Sequence, residues 1–240
     1  MAARAALFDV DGTLVDTNYL HVTTWWEAFR EAGHKVPMPT IHRAIGLAGA
    51  DLVAHVLGDD RDRDRDAEIS AAHATLYGTY FDRLPAIEGA ADVLRSLADR
   101  GWRIVLVTSA GGAELAALRR AIDADEVIDG TTSADDVAAG KPAPDPVRQA
   151  LELAGVGPEQ AVFVGDTVWD MEAAASAGVR GVALLSGGVP RDALESGGAK
   201  EVYEDPTDLL ARLDTSLFVD LEGAGAATGS DSRTRARTER

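Results

Sequence analysis

Short runs of apolar, largely β-branched residues alternate along the chain with longer stretches in which apolar positions recur every three or four residues. The short runs fall at residues 5–10, 103–108, 126–128, 161–164 and 181–185, with a shorter sixth at 201–203. Their hydrophobicity is nearly continuous, which predicts strands covered on both faces. Each ends in a Gly, Ser, Thr or Asp cluster. Helical period marks 89–100, 113–122, 145–154, 168–177 and 206–213, and Gly101, Gly155 and Gly178 stand where a helix C-terminus favours glycine. The alternation predicts an α/β fold, a doubly wound, Rossmann-like, mostly parallel sheet with helices on both faces.

One interval breaks the alternation. About ninety residues separate Val10 from Arg103, where a strand–helix–strand crossover needs only a few tens. Helical period at 17–32, 49–57 and 66–84 predicts an all-α cap inserted over 16–86, leaving 1–15 and 87–221 as the core. The charge-alternating stretch 59–66 (DDRDRDRD) reads as a solvated connection between cap helices. Residues 222–240 carry no large apolar side chain and are expected to form a disordered tail.

Composition then limits the chemistry. With 240 residues, 46% of them hydrophobic, the chain can bury one large core. It has no cysteine, so disulfides, thiolate zinc sites and a thiol nucleophile are excluded, and any metal must be held by oxygen or His. Lys and Arg number 23 against 40 acids, a net charge of −17. That opposes binding to nucleic acid or an anionic membrane, which both need clustered bases. No signal-peptide pattern and no run of ~18 apolar residues is visible, so a cytoplasmic protein without a membrane partner is expected. Nothing in the composition distinguishes a monomer from a dimer.

Four segments stand at the carboxyl ends of predicted strands, where open α/β sheets bind ligands. Asp9 and Asp11 alternate on one side as the first strand ends, and Gly12 permits a sharp turn; a strand running into an Asp-Gly turn has the same pattern. Thr108 and Ser109 end the second run ahead of a helix, placed either to bind an anion or to cap that helix. Lys141 lies between Gly140 and Pro142 in a segment stiffened by Pro142 and Pro144. Its ammonium suits a phosphate, although an exposed lysine is also commonly just solvated. Asp166 and Asp170 stand four apart at a predicted helix start, where acids also complement the helix dipole. Taken together, Asp9, Asp11, Asp166 and Asp170 crowd four acids at one sheet edge. That repulsion asks for a hard cation, and an oxygen-only donor set favours Mg²⁺.

These residues, DVDGT at 9–13, Thr108, Lys141 and GDTVWD at 165–170, make the chain resemble the haloacid dehalogenase superfamily, in its phosphatase branch with an α-helical cap. The resemblance spans residues 5–215. It implies a phosphatase for a small phosphorylated metabolite, of the phosphoglycolate phosphatase kind. It further implies that Asp9 is the nucleophile and forms an aspartyl-phosphate, while Asp11 protonates the leaving oxygen and then activates water. Mg²⁺ would be held by Asp9, Asp11 through its backbone carbonyl, and Asp166, with Asp170 supporting the site from behind. Thr108 and Lys141 would contact the transferring phosphoryl group, with Ser109 beside them. For its first role Asp11 must be protonated, so burial and its acidic neighbours are expected to raise its pKa.

The resemblance also ranks the alternatives. Dehalogenases of the superfamily lack the second acid of the DxD segment, which is present here as Asp11. Phosphosugar mutases of the β-phosphoglucomutase type share the Asp16, Thr17 and His21 arrangement, but hold a second phosphate with a cap arginine. The corresponding segment here, 45–51 (IGLAGAD), contains none. Hydrolysis is therefore expected ahead of mutase chemistry, and both ahead of a catalytically silent binding module. His21 is either a substrate or Asp11 contact or simply packed against Trp25 and Trp26. The 46–49 loop is the expected specificity element, with hinges at 14–17 and 84–90.

Overall fold

A computed structural model of the protein describes residues 3–132 and 139–227. Six strands, β1 (Ala5–Phe8), β2 (Arg103–Val107), β3 (Ile128–Thr132), β4 (Ala161–Gly165), β5 (Arg180–Leu184) and β6 (Ala199–Tyr203), form one sheet in the order β3-β2-β1-β4-β5-β6. Every neighbouring pair is parallel. The chain winds outward from β1 to β3, then returns to the other side of β1. The carboxyl end of β1 is therefore the switch point, flanked by the ends of β2 and β4.

Strand alternation sorts the core into two layers. Ala6, Phe8, Ile104, Leu106, Val162 and Val164 face α5 (Ala90–Asp99), α6 (Gly112–Ile122), α10 (Pro206–Ala211) and α11 (Leu217–Ala227). Ala5, Leu7, Val105, Val107 and Phe163 face α7 (Asp145–Ala154), α8 (Val168–Ser176) and α9 (Arg191–Gly197). The strands are apolar on both sides because each side meets helices, as their continuous hydrophobicity predicts.

Four further helices stand between β1 and α5: α1 (Asn18–Glu31), α2 (Met38–His42), α3 (Gly49–Leu57) and α4 (Asp66–Gly78). They pack around Val22, Trp25, Phe29, Ile41, Leu52, Val53 and Ile69, a cluster separate from both sheet layers. The outgoing and returning chains run side by side. Val15 bridges to Ala86, Asp16 N–H donates to Pro85 O at 2.9 Å, and Ile87 N–H donates to Leu14 O at 2.9 Å.

Several elements differ from expectation, among them α9, for which no helical period is read, and α4, which ends at Gly78 rather than 84. The edge strand β3 begins at Ile128, after a 3₁₀ turn over Asp125–Val127, rather than occupying 126–128. Pairing with β2 makes a strand of the weakly apolar Gly130, Thr131 and Thr132, and Asp129 Oδ2 accepts from Ile104 N–H at 2.8 Å. Helix α2 carries Pro39 in its first turn, where the missing N–H costs nothing, but five residues leave no readable period. Helix α11 continues to Ala227, so the stretch expected to be tail from 222 begins inside it; residues 228–240 lie outside those described. Its anchor is distant in sequence: Trp102 packs edge-on against Phe218 at 4.9 Å and donates from Nε1 to Glu222 Oε1 at 3.0 Å. No helix of the described residues is long and apolar enough to cross a membrane.

Phe29 is fully buried among the helices between β1 and α5. Phe29→Ala is expected to lower stability by about 3–5 kcal/mol through lost burial and a residual cavity, measured by urea denaturation. A loss under about 1 kcal/mol would show that this cluster relaxes freely around the gap.

Candidate active site

The site begins where β1 runs out. Asp9 N–H still donates to Val164 O at 2.9 Å, which keeps the residue in line with the sheet. The chain then folds sharply: the N–H groups of Thr13, Leu14 and Val15 all point at Val10 O, and Gly12 adopts φ +77°. A side chain at Gly12 would also be driven to 2.4 Å from both Asn18 Nδ2 and Asp166 Oδ2. Backbone strain and crowding thus both require glycine there. The turn brings the Thr13 hydroxyl 3.2 Å from Asp9 Oδ2 and 3.0 Å from Asp166 Oδ1.

Lys141 organises the floor. Its Nζ donates to Asp9 Oδ1 at 2.5 Å and to Val107 O at 3.1 Å, and pairs with Asp170 Oδ1 at 2.7 Å. An ammonium has three N–H donors, and three partners take them. The other oxygen of Asp170 accepts from the N–H and hydroxyl of Thr167 at 3.1 and 2.7 Å, while Thr167 Oγ1 accepts from Asp170 N–H, a reciprocal cap at the start of α8. Asp166 Oδ2 accepts from Asn18 Nδ2 at 2.7 Å. Asn18 escapes a reading of the sequence, because its partner is 148 residues away and nothing in the local pattern distinguishes it from a helix-start asparagine.

Burial drives the electrostatics. It is the largest influence on Asp9, raising its carboxyl to about 7; Lys141 pulls down, while Asp170 and Asp11 push up. Asp166 is likewise held well above the usual carboxylate range by burial and by its neighbours Asp9 and Asp170. Burial pushes the Lys141 ammonium down, but its two carboxylate partners outweigh that and hold its pKa raised.

Asp11 departs from expectation. Burial does push its pKa up, but hydrogen bonds from His21 and Thr17 prevail, so the net shift is downward. Thr17 Oγ1 donates to Asp11 Oδ1 at 2.6 Å, and His21 Nε2 stands 3.3 Å from the same oxygen. The upward shift expected from burial and acidic neighbours is not seen, because the donors Thr17 and His21 at the start of α1 outweigh burial. His21 is correspondingly raised by its contact with Asp11, against the lowering effect of burial. Behind it, His21 Nδ1 lies 3.2 Å from His73 Nε2, and burial takes His73 down to about 3. His21 stacks on Tyr77 at 3.9 Å, and His73 on Trp25 at 3.9 Å. His21 thus contacts Asp11 and also packs against rings, but those rings are Tyr77 and His73 from α4 rather than the Trp25 and Trp26 expected from their spacing on α1.

Thr108 is buried and Ser109 exposed, and both line the same cavity of about 530 Å³ as Asp9, Asp11, His21 and Lys141. Thr108 Oγ1 accepts from Ala110 N–H at 3.0 Å. Glu114, which no local sequence signal singles out, also faces this cavity. Burial and the charge of Asp11 push it up to about 7. The 46–51 segment forms the opposite wall. Asp166 and Asp170 do not line the cavity; they lie behind Asp9.

The carboxylates of Asp9, Asp166 and Asp170 offer oxygens that all lie within 4.8 Å of one another, all buried. Three acids against one ammonium, two of them with strongly raised pKa values, make a pocket short of positive charge. Hard oxygen donors in that setting fit a small divalent cation. All three acids are already contacted, Asp9 by Lys141 and Thr13, Asp166 by Thr13 and Asn18, and Asp170 by Lys141 and Thr167; Asp9 and Asp166, the two with raised pKa values, are those a cation would relieve most. The Asp11 carboxylate points instead to His21 and Thr17, so only its backbone carbonyl is compatible with a ligand role.

A family model described as a haloacid dehalogenase-like hydrolase matches residues 3–178. Phosphoglycolate phosphatase of Nitrosospira multiformis is 29% identical over 73% of this chain and 80% of that protein. Pyrophosphatase PpaX of Bacillus cereus is 27% identical over 77% and 84% respectively. A hydrolase from Pseudomonas syringae superposes with a TM-score of 0.84 at 34% identity, covering 88% of this chain and 98% of that one.

Asp9 titrates near 7 in the folded chain, against an ordinary value of 3.8. Folding therefore takes up protons between those values, and metal-free stability falls as pH rises through that window. Asp166 and Glu114 have the same sign, and Asp11, lowered, opposes them. A cation binding the ionised carboxylates relieves the penalty, so Mg²⁺ is expected to raise the melting temperature more at pH 8 than at pH 5.5. Differential scanning fluorimetry against an EDTA-treated control checks this. An equal or larger effect at pH 5.5 would contradict the assignment of Asp9 and Asp166 to the cation.

Proposed function

This chain belongs to the haloacid dehalogenase-like hydrolases and is a phosphoric ester hydrolase, and from that premise we propose that it is a Mg²⁺-dependent phosphatase of a small phosphorylated metabolite, acting through an aspartyl-phosphate. The observation that carries the reading is the grip of Lys141 on Asp9, 2.5 Å from Nζ to Oδ1, at the floor of the cavity. A carboxylate approaches a phosphate dianion only when charge on both is neutralised; Lys141 offsets the charge of Asp9, and a cation taken up by the acid cluster would supply the rest.

In the proposed reaction an Asp9 carboxylate oxygen forms a bond to phosphorus as the bond to the leaving oxygen breaks. Lys141 holds Asp9 in place and screens its charge, while Thr108 and Ser109 at the end of β2 hold phosphoryl oxygens. The leaving oxygen takes its proton from Asp11. The lowered pKa of Asp11 alone would leave it ionised, but the contact with His21, whose pKa is raised, lets the pair retain a proton that passes through Asp11. In the second half, Asp11 accepts a proton from water as the water oxygen attacks phosphorus, and Asp9 is released with inorganic phosphate. Asp9, the Asp11 carbonyl and Asp166 would hold Mg²⁺, with Asp170 bracing Lys141; when bound, the ion supplies positive charge to the phosphoryl oxygens and to Asp9.

Phosphoglycolate, for which one relative is named, is one small phosphorylated metabolite against which this reading is to be compared. Mutase chemistry is the second reading. It would need a further anion site to hold a bisphosphate, and the 45–51 wall carries no arginine.

The purified protein is expected to hydrolyse p-nitrophenyl phosphate with Mg²⁺ and to lose that activity in EDTA. Asp9→Asn is expected to cut turnover by about a thousandfold or more while retaining the native circular dichroism spectrum. Full turnover in that variant would remove Asp9 from the nucleophile's role. For Asp11→Asn, an activated aryl phosphate should leave a phosphoryl group trapped on the chain, visible as a mass increase. Slow turnover with no covalent phosphate would sink the assignment of Asp11 to the water step.

A further inference from the structure

The cavity above Asp9 has two unlike halves. Its floor carries Asp9, Lys141, Thr108 and Ser109, the groups assigned to the phosphoryl transfer. The opposite half, which must receive the leaving group, is built by Trp25, the 45–48 loop and the first turn of α3, with Glu114 entering from α6. The two halves meet closely: a side chain at Gly140, next to Lys141, would stand 3.0 Å from Ala48 Cβ and 3.5 Å from Asp51 Oδ2. Asp51 is thus at the rim where the α3 turn meets the lysine loop.

The ionisable side chains that enter this second half, Asp51 and Glu114, are both acids. Among the described residues that line the cavity, Lys141 is the single lysine or arginine, and its donors are directed at Asp9, Asp170 and Val107. The sequence of residues 133–138, SADDVA, contains no base. His21 is held by Asp11, and His73 is turned to His21 and stacked on Trp25. A phosphate or carboxylate on the leaving group would therefore lie beside Asp51 and Glu114 with no lysine or arginine to offset it. Hydroxyl groups meet the opposite situation. The N–H groups of Gly49, Ala50 and Asp51 open α3 behind Ala48 with no side-chain cap, and can donate to a hydroxyl oxygen. Asp51 and Glu114 can accept from its proton. A hydroxyl, both donor and acceptor, satisfies both kinds of group; an anion satisfies only the first and an ammonium only the second.

We propose that Asp51 and Glu114 are specificity residues selecting a monophosphate ester of an uncharged, hydroxyl-bearing leaving group, a polyol or a sugar, and rejecting substrates with a second phosphate or a carboxylate. The inference rests on the phosphatase reading above and narrows its substrate class.

The test compares kcat/KM with Mg²⁺ for p-nitrophenyl phosphate, glycerol 1-phosphate, glucose 6-phosphate, phosphoethanolamine, phosphoglycolate, pyrophosphate and fructose 1,6-bisphosphate. The wild-type chain is expected to favour the glycerol or glucose ester over each of the last three by about tenfold or more. Asp51→Arg is expected to raise the phosphoglycolate-to-glycerol-phosphate ratio by about tenfold, and Glu114→Gln to move it in the same direction by less. A wild-type preference for phosphoglycolate, pyrophosphate or the bisphosphate overturns the inference, as does phosphoethanolamine as the best substrate. An unchanged ratio in both variants also overturns it. The wild-type ranking decides the matter even if a variant fails to fold. Absence of all hydrolysis, p-nitrophenyl phosphate included, defeats the phosphatase reading itself, whereas hydrolysis with the wrong ranking defeats only this narrowing.

Discussion

One ammonium among buried carboxylates governs this molecule. Lys141 sits between Asp9 and Asp170, with Asp166 alongside, all nearly inaccessible to water. Taking such charges out of water costs several kcal/mol per ion unless partners replace the lost hydration. The surrounding structure is arranged to supply them: Thr13 to Asp9 and Asp166, Asn18 to Asp166, Thr167 to Asp170, and the Val107 carbonyl to Lys141. The acids still outnumber the ammonium, and burial first, with mutual repulsion added to it, raises the pKa values of Asp9 and Asp166. A site so built is poised to take up a cation and, with it, an anionic phosphoryl group.

The sheet makes this juxtaposition possible. Parallel strands deliver their carboxyl ends to one edge, and β1, the switch strand, has β2 and β4 as neighbours. Asp9, Thr108 and Asp166 follow directly from those three ends. The lysine arrives from the segment before α7 and reaches in to Val107. Glycine is required where backbone passes close to the carboxylates: a side chain at Gly187 would stand 1.7 Å from Asp166 Oδ2, an impossible approach. The 187 carbonyl accepts from Asn18 Nδ2 at 3.2 Å and pairs with His42 Nε2 at 2.9 Å, so one loop ties the acid cluster to α1 and α2.

The α1–α4 layer lies directly against that edge. Gly46 approaches Thr167 and Trp169 so closely that a side chain there would come within 2.8 Å of Thr167 Oγ1. Trp169 Nε1 donates to Arg43 O at 3.1 Å, and its ring meets His55 edge-on at 5.4 Å. These contacts hold the α1–α4 layer against the residues that follow β4, beside fully buried Asp166 and Asp170, where the absence of water strengthens every charge interaction. The same layer supplies Thr17 and His21, the two side chains that set the ionisation of Asp11.

The alternation of apolar runs and helical periods, with the ninety-residue interruption, was enough to determine a parallel α/β sheet carrying a helical insertion, because strands buried on both faces and amphipathic helices leave distinct local patterns. The strand-end positions of Asp9, Thr108 and Asp166 were legible for the same reason, and Lys141 stood out as one of three lysines. What no local pattern carries is which distant groups meet. The support of Asp166 by Asn18, the anchoring of α11 by Trp102, and the entry of Glu114 and Asp51 into one cavity depend on contacts between residues tens to more than a hundred positions apart, and even the downward shift of Asp11 turns on how the bend after β1 orients Thr17 and His21, six and ten positions on. Hydrogen bonding and desolvation depend on distance in space, so only the tertiary structure could decide them.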